Sequence, residues 1–553
     1  MDQQRPMVRE FRQILLWPVQ LSPLSGADAS MRHAERLARL ASQWEEASDT
    51  FAGDGSGFEE RHYAEFAAFM PAVQRFLYGE SDQPRAGASY GASPVRIFRR
   101  RDVATVRAQF QPESAPVDFT VVRAALYFFY DIDLAIITTE LLCHDLTLDQ
   151  AQEALFRLGR VYPTTWEADG SGTNCCASIS LLDAAGAVLA VSDYAHKTRY
   201  LDFVRAHRTP RIASHWQYLM DPLAPEHEQA TDGREPIRFR PLEHQRLPVF
   251  GCLAVDHPLA ISREDWMRLA LVAPSGPRGV APFAPGFLAD FEARYCYDRF
   301  WEPAGGHNQI ATRILCSGQA FIMVGDAADP RYADPATGIT CQFRRQYFLL
   351  GLIAHFHRAA LLIFRDRLVT AISGLTDYAP ETVKRFKRAV RLTHENFLRF
   401  GHRYWFQEVS NQAPAHDLFA MWGRHLELNG LFAEVRREVL DMIDYLDSDS
   451  FRRQANTVVR LTVVTFFGLI GSLTVGFIGA GLVSVSGRGA LEKVFHVLAV
   501  IIPVTALILY TAKKSHRLAE FLDAISDERR TFSHKARAFL RIWRRSSDRP
   551  PRG

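Results

Sequence analysis

From Leu461 to Gly487 the chain runs for 27 residues without an Asp, Glu, Lys or Arg, and from Val494 to Ala512 it runs for another 19. A hydrocarbon core about 30 Å thick takes roughly 20 apolar helical residues to cross. The two runs therefore predict a membrane hairpin over 457–512, joined by the short linker Arg488–Lys493. Dense flanking charge argues against a buried helix pair: Arg452, Arg453 and Arg460 precede the first run, and Lys513, Lys514 and Arg517 follow the second. The linker holds only Arg488 and Lys493, with Glu492 between them. Because Lys and Arg mark the cytoplasmic side, both termini are expected in the cytoplasm and the chain in the inner (plasma) membrane as a multi-pass protein.

The remainder has the composition of a globular chain. Among 553 residues, 47% are hydrophobic and 12% aromatic, with 65 Lys+Arg against 62 Asp+Glu and a net charge of +3, which excludes wholesale disorder and collagen-like repetition. No nucleic-acid partner is expected from so even a balance. Only seven of the basic residues are Lys, which reads as the codon bias of a GC-rich bacterial genome. Seven cysteines, with no C-x-x-C spacing, are expected to be reduced thiols rather than a disulfide framework. The N-terminal apolar piece Ile14–Val19, interrupted by Pro18, is too short for a cleavable leader.

Periodicity divides the chain into a helical N-terminal region with a linker (1–93), a mixed α/β domain (94–340), a helical region and stalk (341–456), the hairpin (457–512) and a basic tail (513–553). In the first, 29–47 and 58–78 read as helices around Gly53–Gly57, a loop that lacks the strand and Lys of a phosphate cradle. Val121–Phe129 and Leu134–Leu142 read as a β-hairpin, and Thr147 to Gln150 has capping-box spacing before a helix reaching Arg160. Further strands are expected at 177–182, 188–191, 237–242, 249–255, 314–316 and 320–324. Helices are expected from Gln342, Pro380 and Pro414, and no Pro interrupts 417–482, so one helix is expected to run from the cytoplasm into the first span. The tail carries 12 Lys/Arg and 5 Asp/Glu interleaved with apolar residues, as in an amphipathic segment resting on anionic lipid.

Enzyme chemistry finds little support. His355 and His357 are two apart in a helix, where side chains face different ways and make poor joint metal ligands. Cys175 and Cys176 are adjacent rather than spaced, His144–Asp145 reads as an ordinary strand end, and Arg403–Gln412 reads as an aromatic helix end packed on the stalk. The first span is more informative: Leu461, Thr465, Leu469, Ser472 and Gly476, followed by Gly479, share one helical face. Small residues there permit close helix packing; in a ring of copies the same face would line a pore.

The order of parts resembles the CorA superfamily of divalent-cation channels. Asn456 to Thr465, leading to Gly476-Phe-Ile-Gly-Ala-Gly481, is similar to the family's stalk-to-pore helix, which ends in a Gly-Met-Asn signature. The resemblance implies an α/β cytoplasmic domain with a long helical stalk and a C-terminal two-helix transmembrane hairpin. It also implies a homopentamer passing a divalent cation down its gradient, magnesium first and zinc or cobalt next, with no cofactor and no covalent chemistry. Pore-lining residues would be Leu461, Thr465, Leu469, Ser472 and Gly476, and the selectivity region Gly479, Ala480 and Gly481. The last of these replaces the Asn whose carboxamide meets the hydrated ion, and Arg488 joins Glu492 in the outer loop. Those departures leave two alternatives open: a transport-inactive, membrane-tethered sensor or scaffold, and a channel for another ion.

Overall fold

The computed structural model describes residues 5–24, 28, 31–40, 42–47, 60–80, 93–227, 235–242, 245–302, 311–334, 336–374 and 380–479, with the single positions 495, 498, 502, 503 and 506. Outside these lie the Gly53–Gly57 loop, Ala480, Gly481, Arg488, Glu492, most of the second apolar run and the basic tail. The chain divides into two units, Met1–Val439 and Leu440–Gly553.

One sheet organises the first unit. Its strands are β1 (Met7–Leu21), β2 (Trp44–Glu46), β3 (Val95–Arg100), β4 (Thr105–Gln109), β5 (Val117–Phe129), β6 (Leu134–Thr147), β7 (Ser178–Leu182), β8 (Val188–Val191), β9 (Leu223–Pro225), β10 (Ile237–Pro241), β11 (Val249–Val255), β12 (Cys296–Tyr297), β13 (Arg313–Cys316) and β14 (Ala320–Asp326). The main path is β12-β13-β14-β11-β1-β6-β5-β4-β7-β8; β10 and β9 extend from β1, and β3 and β2 from β5. Most neighbours are antiparallel, while β11 with β14 and β9 with β10 are parallel. The expected hairpin is the β5–β6 pair, turning through Tyr130–Asp133, and Thr147 caps the helix Leu148–Arg157 by accepting from the Gln150 backbone N–H.

The central strand was not anticipated. Ile14–Val19 lies inside β1, paired along one edge with β6 from Met7 to Gln20. On its other edge β1 pairs with β11 as far as Leu15 and with β10 from Val19. Pro18, which has no N–H to donate, falls where one neighbour gives way to the next, so a proline is tolerated inside a central strand. The boundary expected at 93/94 is accordingly corrected: β1 belongs to the sheet, and the expected helix over 29–47 is a short helix, His33–Arg39, followed by β2.

Above the sheet lies the helix Phe348–Ser373, preceded by a π-turn at Phe343–Tyr347. The helical stretch Ile339–Ser373 is long and apolar enough to cross a membrane by length and composition, yet nearly all of its apolar window is buried inside the protein. Phe356 stacks on Phe129 with centroids 4.4 Å apart, and Phe348 lies 6.0 Å from Tyr127. Gly351 permits the close approach, because a Cβ there would overlap the Phe250 ring and Trp422. This is a core helix.

The helix expected to run unbroken from the 414 region has one interruption. Ala413–His425 ends at Leu426, Glu427 takes a left-handed conformation at φ 53°, and a new helix spans Leu428–Gly479. The freed Leu426 carbonyl accepts from Arg358 Nη1 at 3.2 Å. From Leu428 the helix continues for 52 residues without a further break, about 78 Å at 1.5 Å per residue.

Candidate functional site

The expected pore residues lie on this last helix, in the unit beginning at Leu440. Leu461 and Leu469 are 66% and 59% exposed, and Thr465, Ser472 and Gly476 are exposed as well. At about 100° per residue these five fall within one quarter of the helix circumference. Val463 and Gly471, both buried, fall on the far side. Among the described side chains, these two positions are covered and the five expected pore positions are open. Nothing lies within 4 Å of a Cβ built on Gly468 or Gly476. Gly479 is the last residue of the helix; Ala480, Gly481, Arg488 and Glu492 are among the positions outside the description.

Two hydroxyls on this helix bond the preceding turn. Thr465 Oγ1 donates to the Leu461 carbonyl at 2.8 Å, and Thr462 Oγ1 to the Val458 carbonyl at 2.9 Å. Such bonds to the preceding turn satisfy the hydroxyl proton. The Thr465 oxygen then presents only lone pairs outward, a polarity suited to water or a cation rather than an anion.

The other sequence candidates are scattered through the first unit. His355 lies against Phe250, with centroids 5.8 Å apart, whereas the His357 ring sits among Phe400, Trp405, Phe406 and Phe419 and its Nε2 donates to the Tyr404 carbonyl at 2.7 Å. Burial pushes both imidazoles down from the usual 6.5, His355 to about 3 and His357 to about 4, so both are neutral packing groups. In the 403–412 segment, Tyr404 OH donates to the Asp131 carboxylate and Trp405 stacks on Phe432 at 4.4 Å. Cys175 and Cys176 are buried free thiols, and burial raises Cys175 to about 12. Asp145 pairs with Arg9 at 2.9 Å. Among the described residues, no three His, Cys, Asp or Glu side chains converge to hold a metal ion.

Sequence reasoning missed a charge cluster buried between the sheet and the π-turn. Glu140 on β6 accepts from Arg12 on β1 at 2.8 Å and from Arg344 at 2.6 Å, and Arg123 on β5 lies 3.4 Å away. Burial opposes its ionisation, but Arg123, Arg344 and Arg12 outweigh it and hold the carboxyl down to about 2. Beside it, Glu65 accepts from Tyr78 OH at 2.8 Å and pairs with Arg345 at 3.5 Å. Burial raises the Glu65 carboxyl against the pull of Tyr78 and Arg345, and the paired charges tie β1, β5 and β6 to the π-turn. The chain matches no protein-family model, no curated protein and no solved structure.

Proposed function

We propose that the chain is the subunit of a homo-oligomeric membrane channel for divalent cations, magnesium first, with a pore lined by one copy of Leu461, Thr465, Leu469, Ser472 and Gly476 from each subunit. The observation that carries this reading is the uncovered face of the helix Leu428–Gly479: these five positions are exposed in the protomer while Val463 and Gly471 across the helix are buried. An apolar helix face carrying the Thr465 hydroxyl is stable against lipid or against copies of itself, and among copies it surrounds an axis. The CorA resemblance supplies five as the number of subunits and a divalent cation as the cargo.

The test is flux in liposomes holding the purified protein, measured for magnesium, zinc and chloride against Ser472→Leu. Cation flux that Ser472→Leu abolishes, with oligomer size unchanged, is the expected outcome. Chloride flux would keep the pore and overturn the cargo. A second reading, a transport-inactive sensor or scaffold, is favoured by Gly481 in place of the family's Asn and by Arg488 in the outer loop; absence of all flux from vesicles holding folded oligomer would select it.

A further inference from the structure

Two arginines in the first unit stand on opposite strands of one bridge, and among the described residues neither has a counter-ion. Arg160, just after the helix Leu148–Arg157, forms an isolated antiparallel bridge with Arg246. Val161 N donates to the Gln245 carbonyl and Leu247 N to the Gly159 carbonyl, each at 2.9 Å. Those bonds flank the 160/246 pair instead of joining it, which makes it the close, non-hydrogen-bonded kind with both side chains on one face. Like charges placed directly opposite destabilise a bridge.

Neither guanidinium has a carboxylate partner among the described residues. The Phe156 ring centroid lies 4.7 Å from Arg160 Cζ and 5.9 Å from Arg246 Cζ. Arg160 is only 5% exposed, and its Nε donates to the Phe156 carbonyl at 3.3 Å. Arg246 Nη2 donates to the Val272 carbonyl at 2.7 Å, at the end of the helix Arg263–Leu271, while its buried Nε has no partner. Both Nη groups of Arg160 and Nη1 of Arg246 make no hydrogen bond among the described residues. The third cation nearby, Arg157, is already neutralised by Glu153. Burial lowers Arg160, and burial together with Arg160 pushes Arg246 down to about 10; a guanidinium stays charged at pH 7.

Capping of one helix end accounts for a single nitrogen of Arg246 and for nothing in Arg160. We infer that Arg160 and Arg246 form the anion-binding element of a ligand site that takes a dianionic phosphoryl group. Two planar forks carrying two positive charges match a tetrahedral dianion in charge and in hydrogen-bond geometry. The backbone bridge puts the two side chains on one face, and both guanidinium groups lie close to the Phe156 ring centroid, at 4.7 and 5.9 Å. Carbonyl partners elsewhere on both side chains fix their orientation before the ligand arrives.

The experiment titrates the detergent-purified full chain with sodium phosphate and separately with ATP at constant ionic strength, by calorimetry and by thermal melting. Both arms are repeated on Arg160→Gln, Arg246→Gln and Arg246→Lys. Wild type is expected to bind and to gain Tm with the anion. Each Gln variant should lose affinity at least tenfold, and Arg246→Lys, which keeps the charge without the fork, should fall between. Binding of ATP more than tenfold tighter than phosphate, lost in the same variants, identifies a nucleotide-borne phosphoryl group, and equal binding identifies free phosphate. Failure of wild type to bind either probe, or equal binding by wild type and both Gln variants, overturns the proposal.

Discussion

At the scale of single residues, the first unit is held by the ion cluster around Glu140 and by buried histidines whose imidazoles are pushed down. Removing one partner of a buried ion cluster typically costs about 3–5 kcal/mol, because the charges left behind stay buried. Glu140→Gln, which leaves Arg12, Arg123 and Arg344 facing a neutral amide, is expected to lower stability by about that amount, read as a fall in denaturation midpoint. The histidines set the acid limit. His215 and His355 are pushed down to about 3 and His357 to about 4 by burial, so between pH 6.5 and 4 the unfolded chain binds protons that the folded chain refuses. Stability is therefore complete above pH 6.5 and declines as the pH falls towards 4. Melting curves between pH 7.5 and 5.0 should show Tm dropping on the acid side, with a shallower slope for His357→Gln; an identical slope would remove His357 from the account. Part of this was legible in the sequence. Spacing alone kept His355 and His357 from sharing a ligand, since residues two apart in a helix diverge. Glu140 gave no signal, because its partners Arg12 and Arg344 lie 128 and 204 residues away and a single chain carries no mark of such pairings.

Among elements, local chemistry was readable and long-range pairing was not. The capping box at Thr147 and the β5–β6 hairpin declare themselves within a few residues, through a hydroxyl at the right spacing and two β-rich runs around a turn. β1 did not: its Pro18 looks like a strand breaker until β11 and β10 are known to meet it on either side of that residue. The interruption at Glu427 was equally silent, because a left-handed non-glycine residue is imposed by packing rather than propensity. Close packing of the core helix gives a direct test. Gly351→Ala would force the helix away from Phe250 and Trp422, and overpacking of this kind costs about 1–3 kcal/mol, measurable by chemical denaturation. For the helix Leu428–Gly479 the test concerns its faces. Thr465→Cys and Leu469→Cys are expected to cross-link between subunits under mild oxidation in membranes, while Val463→Cys, on the covered side, should remain monomeric on a denaturing gel. Cross-linking through position 463 alone would turn the pore face around.

For the molecule as a whole, the argument rests on what water will tolerate. Val458, Leu461, Val464, Leu469 and Val475 are all at least 40% exposed on one helix, and each large apolar side chain left in water forgoes roughly 1.5–3 kcal/mol of burial. Such a helix left bare in water would aggregate; in the proposed channel, lipid and further copies cover it. The two-unit division at Val439/Leu440 separates this requirement from the sheet domain, whose own core helix, despite its apolar length, already has its partners in β5, β11 and Trp422. That contrast corrects a purely compositional view of membrane segments, since two apolar helices of similar character have opposite fates according to whether the protein itself supplies the cover. It also yields the last prediction. Mixed with liposomes containing anionic lipid and spun through a density gradient, the full chain should float and should resist an alkaline wash, which strips proteins held only by charge. A chain ending at Leu446 lacks the apolar helix face, the second run and the basic tail, and it should stay at the bottom of the gradient with the circular dichroism of a folded α/β protein. Flotation of the shortened chain would place the membrane contact in the first unit and remove the basis for a pore in the helix beyond it. Release of the full chain by alkali would reduce the hairpin to a surface attachment and leave the scaffold reading in place of the channel.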